Sequence, residues 1–253
     1  MILEEFDKSK KAILNPEDLV NSVEGIPEVG ITCFSKKLLE QIINKYNATP
    51  FVYSKHSDGE LPIYKANYKG KNYCLFLSKV GAPACISQYE NLFVMGIKKM
   101  VVFGTCGVLC NDIQDLSIII PNSALRDEGT SYHYNESSRE IKVNPKYIDE
   151  FIDILKNNNI PYIVGKTWTT DAPYRETTNK VKNRKEENCL CVDMECSAIS
   201  ALAKFRKKEI FQFFYATDNL DSKKWEARSL RDNDELTSKE KIGDLAFEIA
   251  SLM

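Results

Sequence analysis

The run Val192-Asp193-Met194-Glu195-Cys196-Ser197-Ala198 sets an acidic pair where an apolar stretch gives way to a run of small residues. The pattern predicts a strand, a polar turn and a helix. Carboxylates at such a junction can accept hydrogen bonds from a pair of vicinal hydroxyls, as on a ribose. Glu195 is the stronger candidate, while Asp193 could equally cap the helix that follows. Two further runs share this form, Val102-Phe103-Gly104-Thr105-Cys106-Gly107 and Ala216-Thr217-Asp218-Asn219. Each reads as a buried strand ending in glycine or polar residues. Open α/β sheets bind their ligands at such strand ends.

The elements that must position these residues alternate along the chain. Asn15-Pro16-Glu17-Asp18-Leu19 reads as a helix start. Helical spacing covers 35–46, 84–95, 145–157, 175–185, 195–206 and 235–252. Strands are expected at 64–68, 73–80, 100–104, 116–120, 162–167, 189–193 and 210–216. Strands alternating with helices imply an α/β protein with a mostly parallel sheet covered on both faces. No repeat or linker divides the 253 residues, so the reading is one domain over 1–253, with 1–25 as an extension packed on it.

Composition narrows the function classes. A net charge of −2 gives no global field for nucleic acid or anionic lipid. The basic run Lys180 to Lys185 is answered at once by Glu186 and Glu187. Met1 to Glu5 lacks the features of a signal peptide, and no apolar stretch is long enough to span a bilayer. The expected location is cytoplasmic, with the eight cysteines reduced. Cys189, Cys191 and Cys196 match no common zinc spacing, and with His56 and His133 the only histidines, no metal site is expected.

Taken in order, Lys79-Val80-Gly81-Ala82-Pro83, Gly104-Thr105-Cys106-Gly107, Arg126-Asp127-Glu128-Gly129-Thr130-Ser131, Trp168-Thr169-Thr170-Asp171-Ala172-Pro173-Tyr174-Arg175-Glu176-Thr177, Asp193-Met194-Glu195 and Thr217-Asp218 resemble the nucleoside phosphorylase superfamily. This is the branch of uridine phosphorylases, hexameric purine nucleoside phosphorylases and nucleosidases. The resemblance implies a three-layer α/β/α domain around a mixed, partly closed sheet. It also implies a homo-oligomer (dimer, trimer or hexamer), a nucleoside substrate, and neither redox cofactor nor metal. By the same resemblance Glu195 holds the ribose hydroxyls, Met194 packs on the sugar, and Gly81 and Thr105 line the site. Asp218 protonates the departing base, with Arg228 or Arg231 as the cation that helps it. Thr170, Tyr174 and Arg175 fall in the base-pocket loop. Tyr174 either stacks on the base or is core, and the glutamine of uracil-specific members is not evident. Arg126 either lines the pocket or belongs to an ion-pair network that fixes its loop.

The chain departs from this pattern at phosphate. The family's three phosphate arginines align with Ser35 or Lys36, with Gly59, and with Phe103, which would make that wall apolar. Lys36, Lys37, Lys79 or Arg126 could rebuild an anion site. The expected activity is pentosyl transfer from a purine or pyrimidine nucleoside to phosphate as co-substrate. The alternatives are a hydrolytic nucleosidase, with Glu128 as a candidate water activator, and a nucleoside-binding module without turnover.

Overall fold

The apolar run expected as a strand at 100–104 is the spine of the molecule. In the computed structural model, which describes residues 2–57, 59–222, 224–230 and 236–253, it forms the centre of β5 (Lys99–Val108). Residue alternation divides its side chains between two cores. Val101 and Phe103 enter one cluster, Met100 and Val102 the other. The parallel neighbours of β5 are β1 (Val29–Cys33) and β10 (Glu209–Asn219).

From β1 the sheet continues outward through β4 (Lys71–Leu77), β3 (Gly59–Tyr68) and β2 (Thr49–His56). From β10 it runs through β6 (Ile118–Asp127), β8 (Tyr162–Thr170) and β9 (Cys189–Asp193), and β9 pairs back on β5. That return closes β5, β10, β6, β8 and β9 into a ring, and β7 (Glu140–Lys142) pairs with β6. The sheet is mixed rather than mostly parallel. The β2–β3, β3–β4, β5–β9, β6–β10 and β6–β7 pairs are antiparallel.

Helices cover both faces. The cluster holding Phe103 takes Leu38 and Ile42 of α1 (Lys36–Lys45), Phe151 and Leu155 of α3 (Ile148–Asn157), and Leu245 and Phe247 of α6 (Leu236–Ala250). The opposite cluster takes Ile86, Tyr89 and Leu92 of α2 (Ala82–Met95) and Ala198, Ile199 and Leu202 of α5 (Cys196–Arg206). α4 (Thr178–Glu186) lies outside, capped by the Thr177 hydroxyl, which accepts from the Lys180 amide. The stretch before β1 runs along α2 and α5. Lys10 donates to the Phe205 carbonyl at 2.8 Å, and Val23 to that of Met95 at 2.9 Å.

Several elements differ from the sequence expectation. The run after Asn15 makes only a 3-10 turn, Pro16–Asp18. β1, β2 and β7 were not expected. β5 and β6 run well past their expected ends because pairing outweighs glycine's and proline's poor strand propensity. Gly107 and Val108 pair with Val192 and Cys191, and β6 passes Pro121 through a register shift.

Candidate active site

The C-terminal ends of β5 and β10 and the start of α5 converge on a cavity of about 500 Å3. Its carboxylates come from Glu176, Asp193, Glu195 and Asp218, its cation from Lys37, and its apolar walls include Phe34, Met194 and Leu230. Thr105 sits exposed at the mouth of the β5 end. Gly104 is required beneath it, since a Cβ there would lie 2.9 Å from the Phe34 ring.

Local structure holds the acidic pair in two different ways. The Asp193 carboxylate is buried and accepts on both oxygens. Oδ2 takes the amides of Glu195 (2.8 Å) and Cys196 (2.6 Å), and Oδ1 takes the hydroxyls of Thr167 and Thr169, each at 2.9 Å. It caps α5 and ties it to β8. Burial nevertheless pushes its pKa up to about 6 against those hydrogen bonds.

Glu195 is 7% exposed, and its carboxylate is held by backbone amides, that of Gly81 donating to Oε1 at 2.5 Å and that of Met194 beside it. Gly81 has φ +93°, a left-handed conformation that suits glycine and turns its N–H toward the acid before α2 starts. Burial, with the charge of Asp193 added, raises Glu195 to about 8.

Asp218 reaches the cavity through a β-bulge. The register of β10 on β5 shifts between Ala216 and Asp218, which sets Asp218 opposite Gly107. Its Oδ1 accepts from the Thr217 hydroxyl at 3.2 Å and its Oδ2 from the Trp225 indole N–H at 2.8 Å. No sequence signal singled out Trp225, because its contact arises from the segment after β10 folding back through the Asn219–Glu226 bridge. Glu176, quoted above only as part of a longer run, stands on the same wall.

Other predicted site residues lie elsewhere. Phe103 is 1% exposed and stacks on Phe213 with centroids 5.3 Å apart. It therefore forms core and not a cavity wall. Tyr174 is 99% exposed and lies outside this cavity, so it neither stacks within it nor joins the core. Arg175 is exposed and also outside it, and Thr170 is buried, its hydroxyl accepting from the Ala172 amide at 3.4 Å.

Arg126 is turned into its own loop. It donates to the Ser131 and Ser138 hydroxyls, each at 2.8 Å, and to the Glu136 carbonyl at 2.8 Å. Glu128 accepts from Ser197 Oγ and the Ser131 amide, so it braces the same loop rather than facing the cavity. Arg228 donates to the Ile113 carbonyl at 2.9 Å and lies 3.9 Å from Glu226. Arg231 lies outside the described residues. Of the alternative cations, Lys37 lines the cavity, whereas Lys36 pairs at 3.9 Å with Glu40.

Residues 28–249 match the phosphorylase superfamily. A guanosine phosphorylase of Halorubrum lacusprofundi is 29% identical over 57% of this chain and 60% of its own length. A DeoD-type purine nucleoside phosphorylase of Brevibacillus brevis is 26% identical over 62% of this chain and 68% of its own. The matched stretch thus spans about three-fifths to two-thirds of these relatives. The crystal structure of uridine phosphorylase from Vibrio fischeri shares the fold with a TM-score of 0.74, covering 91% of this chain and 92% of that one at 20% identity.

Proposed function

Since the chain belongs to the phosphorylase superfamily, we propose that its cavity binds a nucleoside and transfers the pentosyl group to inorganic phosphate. The observation that carries this reading is the placement of Glu195, buried in the lining of a nucleoside-sized cavity that Asp218 also lines. A carboxylate held only by backbone amides keeps lone pairs for the 2′- and 3′-hydroxyls. Once ionised it also stabilises the positive charge that grows on the sugar as the C1′–N bond breaks. Met194 supports the sugar, and Asp218 stands at the base end. The phosphate end would use Thr105 with the N-terminus of α1, where Ser35 and Lys37 line the wall. Relatives are named for guanosine, purine nucleosides and uridine, so the base is an oxopurine, an aminopurine or uracil.

One observation favours water as a second acceptor. Among the described residues no arginine lines the cavity, and its acids outnumber Lys37. Product analysis on uridine, guanosine, inosine and adenosine, with and without phosphate, separates the two. Pentose 1-phosphate formed only with phosphate supports transfer, whereas free pentose at an unchanged rate without phosphate supports hydrolysis. We further propose a homo-oligomer in the cytoplasm. No helix among the described residues is long and apolar enough to cross a membrane.

A further inference from the structure

Two carboxylates, Asp218 and Glu176, stand where the cavity meets its neighbour, and their surroundings differ. Both oxygens of Asp218 already accept hydrogen bonds, from Thr217 and from the Trp225 indole. Glu176 follows the 3-10 turn Pro173–Arg175 and is partly buried, and its carboxylate accepts no hydrogen bond from the described residues. It lines this cavity and also an adjoining one of about 990 Å3, with Asp218 on the shared wall.

The groups around Glu176 weigh against its charge. Asp218 opposes its ionisation from β10, and Asp193 and Glu195 line the cavity from the β9–α5 junction. Lys180 of α4 favours ionisation, but its ammonium lies 3.3 Å from Asp127. Lys185 of α4 lines the outer cavity and is bound to Asp221, while Lys182 of α4 and Lys224 line the outer cavity too and Lys37 of α1 the inner one.

We propose that Glu176, rather than Asp218, gives the departing base its proton, while Asp218 serves as a fixed acceptor beside it. The assignment rests on the nucleoside-cleaving reading above. The electron pair of the C1′–N bond leaves with the base as an oxygen of hydrogen phosphate bonds to C1′. The neutral Glu176 carboxyl passes its proton to a ring nitrogen or exocyclic oxygen of the base, which departs neutral. The sugar phosphate releases its remaining proton to solvent, and the Glu176 carboxylate recovers one from solvent. Burial, with Asp218 beside it, raises Glu176 to about 7, so the donor form is present at neutral pH. Activity then falls as pH rises through that value.

The test compares natural nucleosides with 4-nitrophenyl β-D-ribofuranoside, whose phenolate leaves without a proton. Glu176→Gln is expected to lower kcat/KM on the natural nucleosides by about 100-fold or more, a usual size for a lost general acid. It should leave the nitrophenyl glycoside within about threefold and abolish the alkaline limb of the pH profile. Glu176→Asp should keep that limb with a smaller loss. An equal fall on both substrate types overturns the assignment, as does a limb that survives Glu176→Gln but disappears in Asp218→Asn. Failure of the unaltered protein to cleave any nucleoside overturns the functional reading itself, and this assignment with it.

Discussion

Glu195 concentrates the chemistry at the residue scale. Burial and Asp193 hold it at about 8, so at pH 7 it is mostly protonated. Vicinal hydroxyls that donate to its oxygens favour the anion. Nucleoside binding at pH 7 is therefore expected to release a fraction of a proton approaching one, and markedly less at pH 9. Calorimetry in buffers of different ionisation enthalpy reads this directly. Glu195→Gln should remove the linkage and weaken the complex by roughly 10- to 100-fold, the range for lost hydrogen bonds to a charged group. Linkage that persists in Glu195→Gln would place the titrating group elsewhere. The chemical character of this residue was legible in the acidic pair. Its raised pKa was not, because the burial that raises it comes from segments far away in the chain, and the Gly81 amide only partly opposes it.

At the scale of elements, Asp193 is the knot. It joins the end of β9 to the first turn of α5 and, through Thr167 and Thr169, to β8. Asp193→Ala would leave two buried amides and two hydroxyls without their acceptor. A loss of about 2–4 kcal/mol in unfolding free energy is expected, since unsatisfied buried donors are costly. Chemical denaturation checks it, and a change under about 0.5 kcal/mol, the scale of ordinary surface substitutions, would contradict the capping role. The helix start and its acidic cap were readable from sequence. The threonines that share the carboxylate were not, because the β8–β9 register aligns Thr167 with Cys191 and Thr169 with Asp193. Phe103 shows the same limit. Its nearness to the glycine turn was plain in the sequence, but strand alternation sends its ring to the core beside Phe213.

The whole molecule carries an electrostatic signature. Asp193, Glu176 and Glu195 sit at about 6, 7 and 8, all above their usual carboxylate values. A raised folded-state pKa means the folded state binds more protons than the unfolded chain between the two values. Their contribution is fully present below about pH 4. It is lost as pH rises through the three folded-state values. The ligand-free protein is therefore expected to melt at a higher temperature at pH 5 than at pH 8, and saturating nucleoside should change that slope. Glu136, held below its usual value by Lys8, and Glu209, held down by the Tyr147 hydroxyl, act the other way, but only in more acidic solution. Thermal unfolding across pH reads the sign, and a melting temperature that rises from pH 5 to 8 would contradict it.

The sequence by itself determined the α/β character, most helices, the strand ends that carry Thr105, Glu195 and Asp218, and the family resemblance. Those features are local, resting on apolar periodicity, helix starts and glycine turns within a few residues of each other. Tertiary structure decided what no short window contains. Closure of β9 onto β5 made the sheet ring-like. The bulge before Asp218 aimed its carboxylate into the cavity. Burial beside Asp218 set Glu176 apart from Asp171, the exposed acid of the same loop. The same packing turned Arg126 and Arg228 onto backbone carbonyls, since a buried guanidinium must satisfy its donors wherever the fold offers acceptors.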